Sequence, residues 1–392
     1  MKDIIFINSH PIQYFAPMYK YMNDHGVKTK AWYESDESIK GGLDIEFGTR
    51  IKWDIPLLEG YEHKFFKNHS WKPSHKKGFF GLINLGLIKE LFKIPKSIIV
   101  VHGWHYFTHF LVLLIGGLKG HEICIRCDVP LKQEKLKKGV KQKIKFFFYK
   151  YFLFPRINWF LYIGEQNRLF YKSYGIKDHK LLFCPYAVDN DRFVQSKLQI
   201  EKSGKSFKQK LQIPENDRVI LFSGKYIDKK LPLDLINSFS LLNDAHTWLV
   251  MIGEGALRPA MEKRIAELEL KNVVLTGFIN QSEIVDYYSI GDVFVMCSAL
   301  GENWGLSVNE AMNFNMPLII SDLTGCSEDL VVNGKNGYTF ETRNINDLAA
   351  KLKLVIAEVN AGIKCHSLEI VENYSYARIL VQLSKLIGVK AS

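Results

Sequence analysis

The sequence predicts an α/β protein that is built from two doubly wound domains. Three observations support this prediction. With 392 residues the chain is long enough for two hydrophobic cores. Short β-branched runs alternate with helical stretches, as in buried parallel sheets. The alternation stops in a polar stretch and then begins again. A composition of 47% hydrophobic and 24% charged residues is typical of globular proteins and excludes a disordered or fibrous chain.

The first domain is expected to span residues 1–198. Its predicted elements are strands at 4–8, 98–101, 122–126 and 159–163 and a helix near 12–25. Residues 34–96 are irregular and rich in Gly, Trp, Lys and His, and they are interpreted as an insertion in this domain.

A polar linker is expected at 199–212, and the second domain at 213–372. The predicted strands lie at 219–223, 247–252, 273–276, 293–296 and 317–321, and the helices at 233–242, 257–268, 282–290, 306–314 and 345–357. A last helix within 373–392 is expected to pack back toward the first domain. Two facing domains of this kind form a cleft, with ligands at the carboxyl ends of the strands.

The positive charge is concentrated in the first half of the chain. Residues 1–200 have 32 Lys and Arg against 18 Asp and Glu, whereas residues 201–392 have 20 against 23. Segment 131–156 holds nine basic residues, one acid and an aromatic run. Basic and aromatic side chains together favour an anionic membrane surface. An amphipathic helix with a buried aromatic face is the structural alternative. Nucleic acid is another, but no nucleic-acid motif accompanies the segment.

Other features exclude several protein classes. Residues 4–7 are strand-like and follow the start directly, so no secretory signal is expected. The longest apolar stretch, 107–118, contains His109 and is too short to span a bilayer. Cys124 and Cys127 form a CxxC without a second pair at zinc spacing. We therefore expect a cytoplasmic protein on the inner face of the membrane, without a metal site.

Glu302 and Glu310 stand eight residues apart at a predicted loop-to-helix junction. A helix start offers unpaired backbone N–H groups and the positive end of the helix dipole, which together bind anions. Carboxylates for hydroxyl groups and amides for phosphate are what a sugar nucleotide requires. Acids near a helix start are also common for structural reasons alone, so the pattern leaves both interpretations open.

Four motifs occur in order between residues 215 and 345: 223–225 with 229–230, 252–255, 276–278 and 302–310. Together they resemble the nucleotide-binding half of glycosyltransferase family four (glycosyl transferases group 1), whose members are retaining enzymes with the GT-B fold. Each motif alone is a weak signal. The resemblance implies two facing Rossmann-like domains with an interdomain cleft and a C-terminal helix near the domain crossing.

The resemblance implies roles on the donor side. Lys225 and Lys230 would stabilise the charge that develops on the departing diphosphate. Lys225 stands where the family often has Arg, so it supplies charge without a bidentate fork. Glu302 would bind hydroxyls of the transferred sugar, and Glu310 those of the ribose. The other donor-binding candidates are Gly224, Gly253, Gly255, Phe278, Asn303, Trp304, Gly305 and Leu306. Each has a structural alternative, such as a turn glycine or a core aromatic.

The first domain supplies the remaining candidates. His102 resembles the family's histidine at the cleft, and it is assigned to the catalytic pocket. Arg126 and Asp128 end the next strand and are acceptor-side candidates, with a buried ion pair as the alternative. The segment 9–14 replaces the Gly-rich first loop of many relatives. His10 and Gln13 in this segment are assigned to the acceptor pocket.

The resemblance implies a retaining, metal-independent hexosyltransferase that needs no cofactor beyond its nucleoside diphosphate sugar donor. The acceptor hydroxyl would attack from the front face, with departing phosphate oxygen helping to deprotonate it. Assembly of a bacterial cell-surface glycan or a lipid-linked oligosaccharide is the expected setting. A GT-B sugar-nucleotide epimerase and a catalytically silent GT-B binding protein are the alternatives.

Overall fold

The computed structural model describes residues 2–44, 49–204 and 206–388. The chain divides into two compact units. Unit 1 comprises Met1–Gly42, Ile51–Tyr186 and Ser375–Ser392, and unit 2 comprises Leu43–Arg50 and Ala187–Tyr374.

Unit 1 is built on a parallel sheet of seven strands. The strands of this part of the chain are β1 (Ile4–Asn8), β2 (Thr29–Tyr33), β3 (Gly42–Asp44), β4 (Thr49–Ile51), β5 (Glu62–Phe65), β6 (Ile98–His102), β7 (Glu122–Arg126), β8 (Trp159–Tyr162) and β9 (Leu181–Phe183). Their order in the large sheet is β5-β2-β1-β6-β7-β8-β9. β3 and β4 form a separate two-stranded sheet, and most of their residues belong to unit 2.

Helices cover the seven-stranded sheet. They are α1 (Ala16–Asp24), α2 (Glu37–Lys40), α3 (Leu85–Leu91), α4 (Phe107–Ile115), α5 (Leu131–Leu136), α6 (Val140–Phe148) and α7 (Glu165–Ser173). A π-helical turn, Tyr149–Leu153, continues α6. All five residues of β1 are buried, which explains why this strand is an unbroken apolar run. The core joins alternate residues of the central strands, such as Ile99 and Val101, to α4 and α7.

Three strands of this sheet were not predicted. The sequence of β2 is Thr-Lys-Ala-Trp-Tyr, and β5 is Glu-His-Lys-Phe with three exposed residues. β5 is an edge strand, and edge strands are often short and charged, whereas β2 is an inner strand whose apolar run is interrupted by Thr29 and Lys30. The third, β9, has only three residues. The interpretation of residues 34–96 as an irregular insertion is therefore wrong at β5, which belongs to the main sheet.

The loop between β5 and α3 is tied together by hydrogen bonds to backbone carbonyls. The Asn68 amide donates to the carbonyl of Gly81 at 2.7 Å, and the Ser70 hydroxyl donates to that of Phe80 at 2.6 Å. The buried Asn84 amide donates to the carbonyls of Glu34 and Phe66. Although it lacks extended regular structure, this loop is held in one conformation by the protein's own groups.

Unit 2 contains a second parallel sheet, of six strands in the order β12-β11-β10-β13-β14-β15. These strands are β10 (Arg218–Ser223), β11 (Thr247–Ile252), β12 (Val273–Leu275), β13 (Val293–Met296), β14 (Leu318–Ser321) and β15 (Gly337–Phe340). The helices are α8 (Asn190–Ser203), α9 (Pro232–Ser240), α10 (Arg258–Glu267), α11 (Ile284–Ser289), α12 (Leu306–Met312), α13 (Ser327–Leu330), α14 (Ile345–Asn360) and α15 (Ser367–Val371). The predicted fold class, two doubly wound α/β units, is confirmed.

The expected boundary between the domains differs from the observed one. The units divide after Tyr186, not at residue 198. Residues 190–203 form α8, and Phe207–Leu211 form a 3₁₀ helix, so most of the expected linker at 199–212 is helical. The polar composition there comes from the solvent-facing surface of α8, of which Phe193 is the buried residue. The last helix, α16 (Tyr376–Leu386), belongs to unit 1, where it packs against α1 and β9.

Two glycines that lie five residues apart provide a test of the loop that precedes α3. A methyl group on Gly81 would lie 2.2 Å from the carbonyl oxygen of Ser74, whereas one on Gly86, in α3, would meet its nearest atom at 3.8 Å. We expect Gly81→Ala to lower the free energy of unfolding by about 1–3 kcal/mol, as overpacking does. Gly86→Ala, the matched control, should raise it by about 0.5–1 kcal/mol, because alanine favours the helix.

Chemical denaturation of both variants measures the difference. Equal stability of the two variants would show that this loop rearranges at little cost.

Candidate active site

Polar side chains gather where the chain order reverses in each sheet. In unit 2 this point lies between β10 and β13, because β11 and β12 lie on one side and β14 and β15 on the other. Ligands of doubly wound proteins bind beyond the carboxyl ends of the strands at such a point. Lys225 and Lys230 follow β10, and Glu302 follows β13. The topology therefore brings these three predicted residues to one edge of the sheet.

Lys230 and Glu302 form an ion pair at this edge. The Lys230 ammonium lies 2.5 Å from Oε2 of Glu302, and the two side chains are 12% and 13% exposed. An ammonium group has three N–H donors, and one carboxylate contact uses one of them. The pair therefore holds the lysine in position while leaving donor capacity for further oxygen atoms.

The backbone around Glu302 is fixed from two sides. The Ala299 amide donates to the carbonyl of Lys229 at 2.8 Å, and the Gly325 amide donates to the carbonyl of Glu302 at 3.0 Å. A methyl group on Gly325 would lie 1.8 Å from the Asn303 carbonyl oxygen. The loop after β13 is thus held against the loop after β10 by the Ala299–Lys229 hydrogen bond. It is also packed against the loop after β14 at Gly325, where a larger residue would not fit.

The predicted nucleotide-binding glycines pack against the protein's own backbone. A methyl group on Gly253 would lie 1.9 Å from the carbonyl oxygen of Gly224, and one on Gly255 would lie 2.6 Å from that of Tyr226. Both glycines have positive φ, +148° and +155°. These close approaches between loops are sufficient to require glycine at both positions. Gly224 lies beside the aliphatic part of the Lys230 side chain. A methyl group on Gly224 would lie 3.6 Å from Cε of Lys230.

The segment between the two glutamates leads into α12. Gly305 has a φ of +101°, and α12 begins at Leu306. Trp304 is buried, and its indole N–H donates to Asn309 Oδ1 at 2.9 Å. The Ser307 hydroxyl donates to the carbonyl of Ser223 at 3.1 Å, which joins the first turn of α12 to the end of β10. Asn303 is half-buried.

Glu310 lies in a buried polar network rather than at the surface. It is 1% exposed, its Oε2 accepts a hydrogen bond from the Tyr288 hydroxyl at 2.7 Å, and its Oε1 lies 3.4 Å from the donating Gln281 amide. Gln281 in turn accepts from the Arg192 guanidinium. No local pattern in the sequence predicts this network, which holds the Glu310 carboxylate. The assignment of Glu310 to ribose binding stays a prediction.

Two further donor-side candidates lie in loops close to this edge. Phe278 is half-buried and follows Gly277, whose carbonyl accepts from the Gly253 amide at 3.0 Å. Lys225 is also half-buried. Their assignments to base contact and phosphate binding stay predictions.

In unit 1 the chain order reverses between β1 and β6, and His102 ends β6. Its ring stacks on Phe15, with 4.4 Å between the ring centroids. Its Nε2 lies 3.4 Å from the hydroxyl of Tyr19, which donates to Asn8 Oδ1 at 2.8 Å. Burial, with smaller contributions from Arg126 and His109, lowers the pKa of His102 well below its usual range. His102 is therefore a neutral imidazole at physiological pH.

Glu34 and His109 form a buried pair that the sequence did not predict. They are each 1% exposed, and Glu34 Oε1 lies 3.3 Å from His109 Nε2. The Nδ1 of His109 lies 3.1 Å from the carbonyl oxygen of His102. Burial raises the pKa of Glu34 above its usual range and lowers the pKa of His109 to about 3. A neutral carboxyl and a neutral imidazole thus support the backbone of His102.

The other acceptor-side candidates lie in two places. Arg126 ends β7, and its Cα is paired in register with that of His102. Asp128 accepts a hydrogen bond from the Tyr186 hydroxyl at 3.4 Å. His10 stacks against His75 with ring centroids 4.1 Å apart, and burial, then His75 and Lys76, lowers its pKa to about 3. Gln13 is half-buried.

Segment 131–156 exposes aromatic rings as well as lysines. Rings from the loop before α3, from α4, from α6 and from the π-helical turn form a continuous chain of contacts. Neighbouring ring centroids are 5.0 to 6.0 Å from each other, in the order Trp71, Phe80, Phe79, Phe110, Phe148 and Phe152. We call these six residues, with Phe147 and Tyr151, the aromatic surface. Trp71 is 72% exposed, and Phe147 is 62% exposed. The buried aromatic face that was the structural alternative does not account for these rings.

The lysines that flank the aromatic surface include Lys137, Lys138, Lys141 and Lys143, all of them exposed. Within the described part of the chain, no helix combines the length and apolar character needed to cross a membrane.

Comparison with known proteins agrees with this arrangement. A family model described as glycosyl transferases group 1 matches residues 204–368. These residues are therefore similar to the glycosyl transferases group 1 family. The match covers the switch point of unit 2, with Lys225, Lys230 and Glu302.

Two of the curated relatives illustrate the similarity. An N,N'-diacetylbacillosaminyl-diphospho-undecaprenol alpha-1,3-N-acetylgalactosaminyltransferase of Campylobacter jejuni is 25% identical over 51% of this chain and 51% of its own. An alpha-monoglucosyldiacylglycerol synthase of Acholeplasma laidlawii is 26% identical over 45% of each. The chain thus spans about half the length of these relatives.

Solved structures match nearly the whole chain. The Anabaena protein Alr3699/HepE in complex with UDP and glucose has a TM-score of 0.71 at 13% identity, over 99% of this chain and 100% of that one. The expected GT-B fold class is confirmed.

The buried histidines of unit 1 predict how stability depends on pH. A histidine that stays neutral in the folded protein takes up a proton below pH 6.5 only after unfolding, so stability present above pH 6.5 is lost as the pH falls. For His109 the loss is about 1.4 kcal/mol per pH unit. Glu34 has the opposite effect on the free energy of unfolding. Because burial raises its pKa in the folded protein, its contribution to stability is lost as the pH rises.

We expect His109→Gln to reduce the loss of stability between pH 7 and pH 5.5, as measured by denaturant unfolding at each pH. Lys89→Gln, an exposed change on α3, is the control and should leave the pH dependence unchanged. Identical pH slopes for wild type and His109→Gln would contradict a neutral His109.

Proposed function

We propose that this protein is a retaining glycosyltransferase that moves a sugar from a nucleoside diphosphate sugar to an acceptor hydroxyl. The proposed setting is the assembly of a cell-surface glycan or a lipid-linked oligosaccharide. The proposed reaction uses no bound metal. The Lys230–Glu302 ion pair at the switch point of unit 2 carries this proposal.

The chemistry of the pair suits a nucleotide sugar. Breaking the glycosidic bond places negative charge on the diphosphate, and a fixed ammonium group stabilises that charge more in the transition state than in the ground state. Glu302 orients the Lys230 ammonium at 2.5 Å and supplies carboxylate oxygens for sugar hydroxyls. Lys225, on the same loop, adds a second positive charge. Lys230 is held by Glu302 before the donor binds, which avoids a reorganisation cost during the reaction.

The relatives support a donor and acceptor of these classes. The Campylobacter jejuni relative is named as a transferase acting on a diphospho-undecaprenol compound, and the Acholeplasma laidlawii relative is named as a glucosyldiacylglycerol synthase. The HepE structure contains UDP and glucose. We infer from these names that a UDP-sugar and a lipid-linked acceptor are the first substrates to test.

Lys230→Ala is expected to lower turnover of the active sugar nucleotide by about 10²–10³-fold, because a fixed donor to the developing charge is lost. Lys229→Ala is the matched control, since it removes the neighbouring lysine but not the ion pair, and its turnover should stay near that of the wild type. A panel of sugar nucleotides identifies the donor, and release of nucleoside diphosphate measures the rate. Circular dichroism verifies that both variants are folded.

Near-normal nucleotide release by a folded Lys230→Ala variant would overturn the proposed function. The same panel separates the alternatives. Acceptor-independent conversion of a sugar nucleotide would identify an epimerase. The absence of any donor-induced thermal shift would favour a catalytically silent protein that kept the fold.

We further propose that unit 1 contacts the inner face of an anionic membrane through the aromatic surface and its flanking lysines. Exposed aromatic rings insert at the headgroup level, and lysines are attracted to anionic lipids. The loop before α3 adds Trp71, Phe79 and Phe80 to the segment 131–156 that the sequence indicated. Rings from three separate parts of the chain therefore lie in one surface next to positive charge.

Replacing Lys137, Lys138, Lys141 and Lys143 with Gln should weaken binding to anionic vesicles. Each lysine contributes about 1 kcal/mol near such a surface, so the loss is expected to be on the order of 100-fold or more. The matched control replaces four exposed lysines of unit 2, which are Lys263, Lys271, Lys335 and Lys353. Sedimentation with vesicles of phosphatidylglycerol and phosphatidylcholine measures the binding. Equal sedimentation of the two quadruple variants would refute the proposed membrane surface.

A further inference from the structure

Arg126 is a buried cation with unused hydrogen-bond donors. It ends β7 and is 3% exposed. Its Nη2 donates to the carbonyl of Pro185 at 2.6 Å. Its Nε and Nη1 are also buried, and within the described residues neither has a hydrogen-bond partner. Buried polar groups are normally satisfied, so two unused donors on one guanidinium require an explanation.

Two aromatic rings hold the guanidinium of Arg126. Its central carbon lies 5.3 Å from the centroid of the Phe15 ring and 5.0 Å from that of the Tyr186 ring. Such contacts use the faces of the planar group, whereas its N–H donors point outward in the plane. The rings therefore orient the arginine without using the donors at Nε and Nη1.

The charge of Arg126 is not balanced by a direct ion pair with any described residue. Within the described residues no carboxylate forms an ion pair with it, and Asp128 accepts from the Tyr186 hydroxyl instead. Burial raises the pKa of Tyr186 above its usual range and raises the pKa of Cys184 to about 12. Both groups stay neutral at physiological pH.

A guanidinium cannot lose its charge, and an uncompensated buried charge destabilises a folded protein. Such a cost is typical of positions that bind an oppositely charged ligand. Hydrogen bonds from arginine to an oxyanion are among the strongest in proteins, because the planar fork matches two oxygen atoms.

We propose that Arg126 binds an oxyanion, a phosphate or a carboxylate, that is carried by the acceptor. Only the identification of the ligand as the acceptor rests on the proposed function. His102 stacks on the same Phe15 ring at 4.4 Å and is the register partner of Arg126, so a bound oxyanion places the acceptor beside His102. Arg126 then selects charged acceptors over neutral ones.

Calorimetric titration tests this proposal with the full chain in saturating UDP, so that phosphate groups compete less at Lys225 and Lys230. The probes are glucose 1-phosphate, farnesyl phosphate, glucuronate and the neutral methyl glucoside. Arg126→Gln is expected to weaken binding of at least one anionic probe by roughly tenfold or more, in line with the strength of charged hydrogen bonds. Arg126→Lys keeps the charge without the fork and should bind with intermediate affinity.

Arg378→Gln is the matched control. This exposed arginine also lies over an aromatic ring, that of Phe183, in the same unit. Its replacement should leave probe binding unchanged. The melting temperature without ligand separates anion binding from a purely structural role of Arg126, for which Arg126→Gln would lower the melting temperature. We expect Arg126→Gln to have an unchanged or higher melting temperature, because a buried charge without an ion-pair partner is removed.

Equal affinity of wild type and Arg126→Gln for all three anionic probes would overturn the proposal. Equal binding of methyl glucoside and the anionic probes to the wild type would also overturn it. Preference for glucose 1-phosphate, farnesyl phosphate or glucuronate supports the proposal and identifies a sugar phosphate, a lipid phosphate or a carboxylate as the source. If Arg126-dependent binding occurs but no sugar nucleotide is turned over, the proposed function fails and the anion site stands.

Discussion

The burial of two parallel sheets is the constraint on which the rest of the structure depends. A strand covered on both faces must be apolar along its length, so polar side chains are displaced to the loops at its ends. β1 and the central part of β6 follow this rule in unit 1, and β10 and β13 follow it in unit 2. Where the strand order reverses, two such ends lie side by side. This geometry brings Lys230 to Glu302 in unit 2. In unit 1 it places the end of β6, with His102, beside the end of β1, and Arg126 ends the next strand, β7.

The two edges hold their charges differently. In unit 2 the Lys230 ammonium has a carboxylate partner at 2.5 Å, and backbone contacts at Gly325 and Lys229 fix the loops on both sides. In unit 1 the ionisable groups Glu34, His102 and His109 are neutral, and Arg126 keeps its charge against two aromatic rings. Burial shifts the pKa of carboxylates and imidazoles toward the neutral form, but it does not neutralise a guanidinium.

The sequence predicted the central strands and the donor-side loops because these features are local. Continuous apolar runs identify β1 and β10, and short motifs identify Lys230 and Glu302. The edge strand β5 and the Glu310–Tyr288 contact had no local signal, because pairing with β2 and packing of α11 against α12 are decided by residues distant in sequence. The reason for glycine at position 253 also depends on residues distant in sequence. The motif around Gly253 indicates a turn, but only the fold shows that the Gly224 carbonyl oxygen occupies the space that a side chain would need.

The hydrogen bonds of Asn68 and Ser70 to the carbonyls of Gly81 and Phe80 have a consequence for how the protein behaves in solution. A flexible loop can turn its apolar side chains away from water. A loop whose backbone is held by these two hydrogen bonds keeps the Phe80 ring exposed at the surface. The Phe80 ring therefore stays in contact with water in solution, and its transfer to an apolar environment is favourable. The solubility of this protein therefore depends on whether an apolar partner or phase is present to cover this ring.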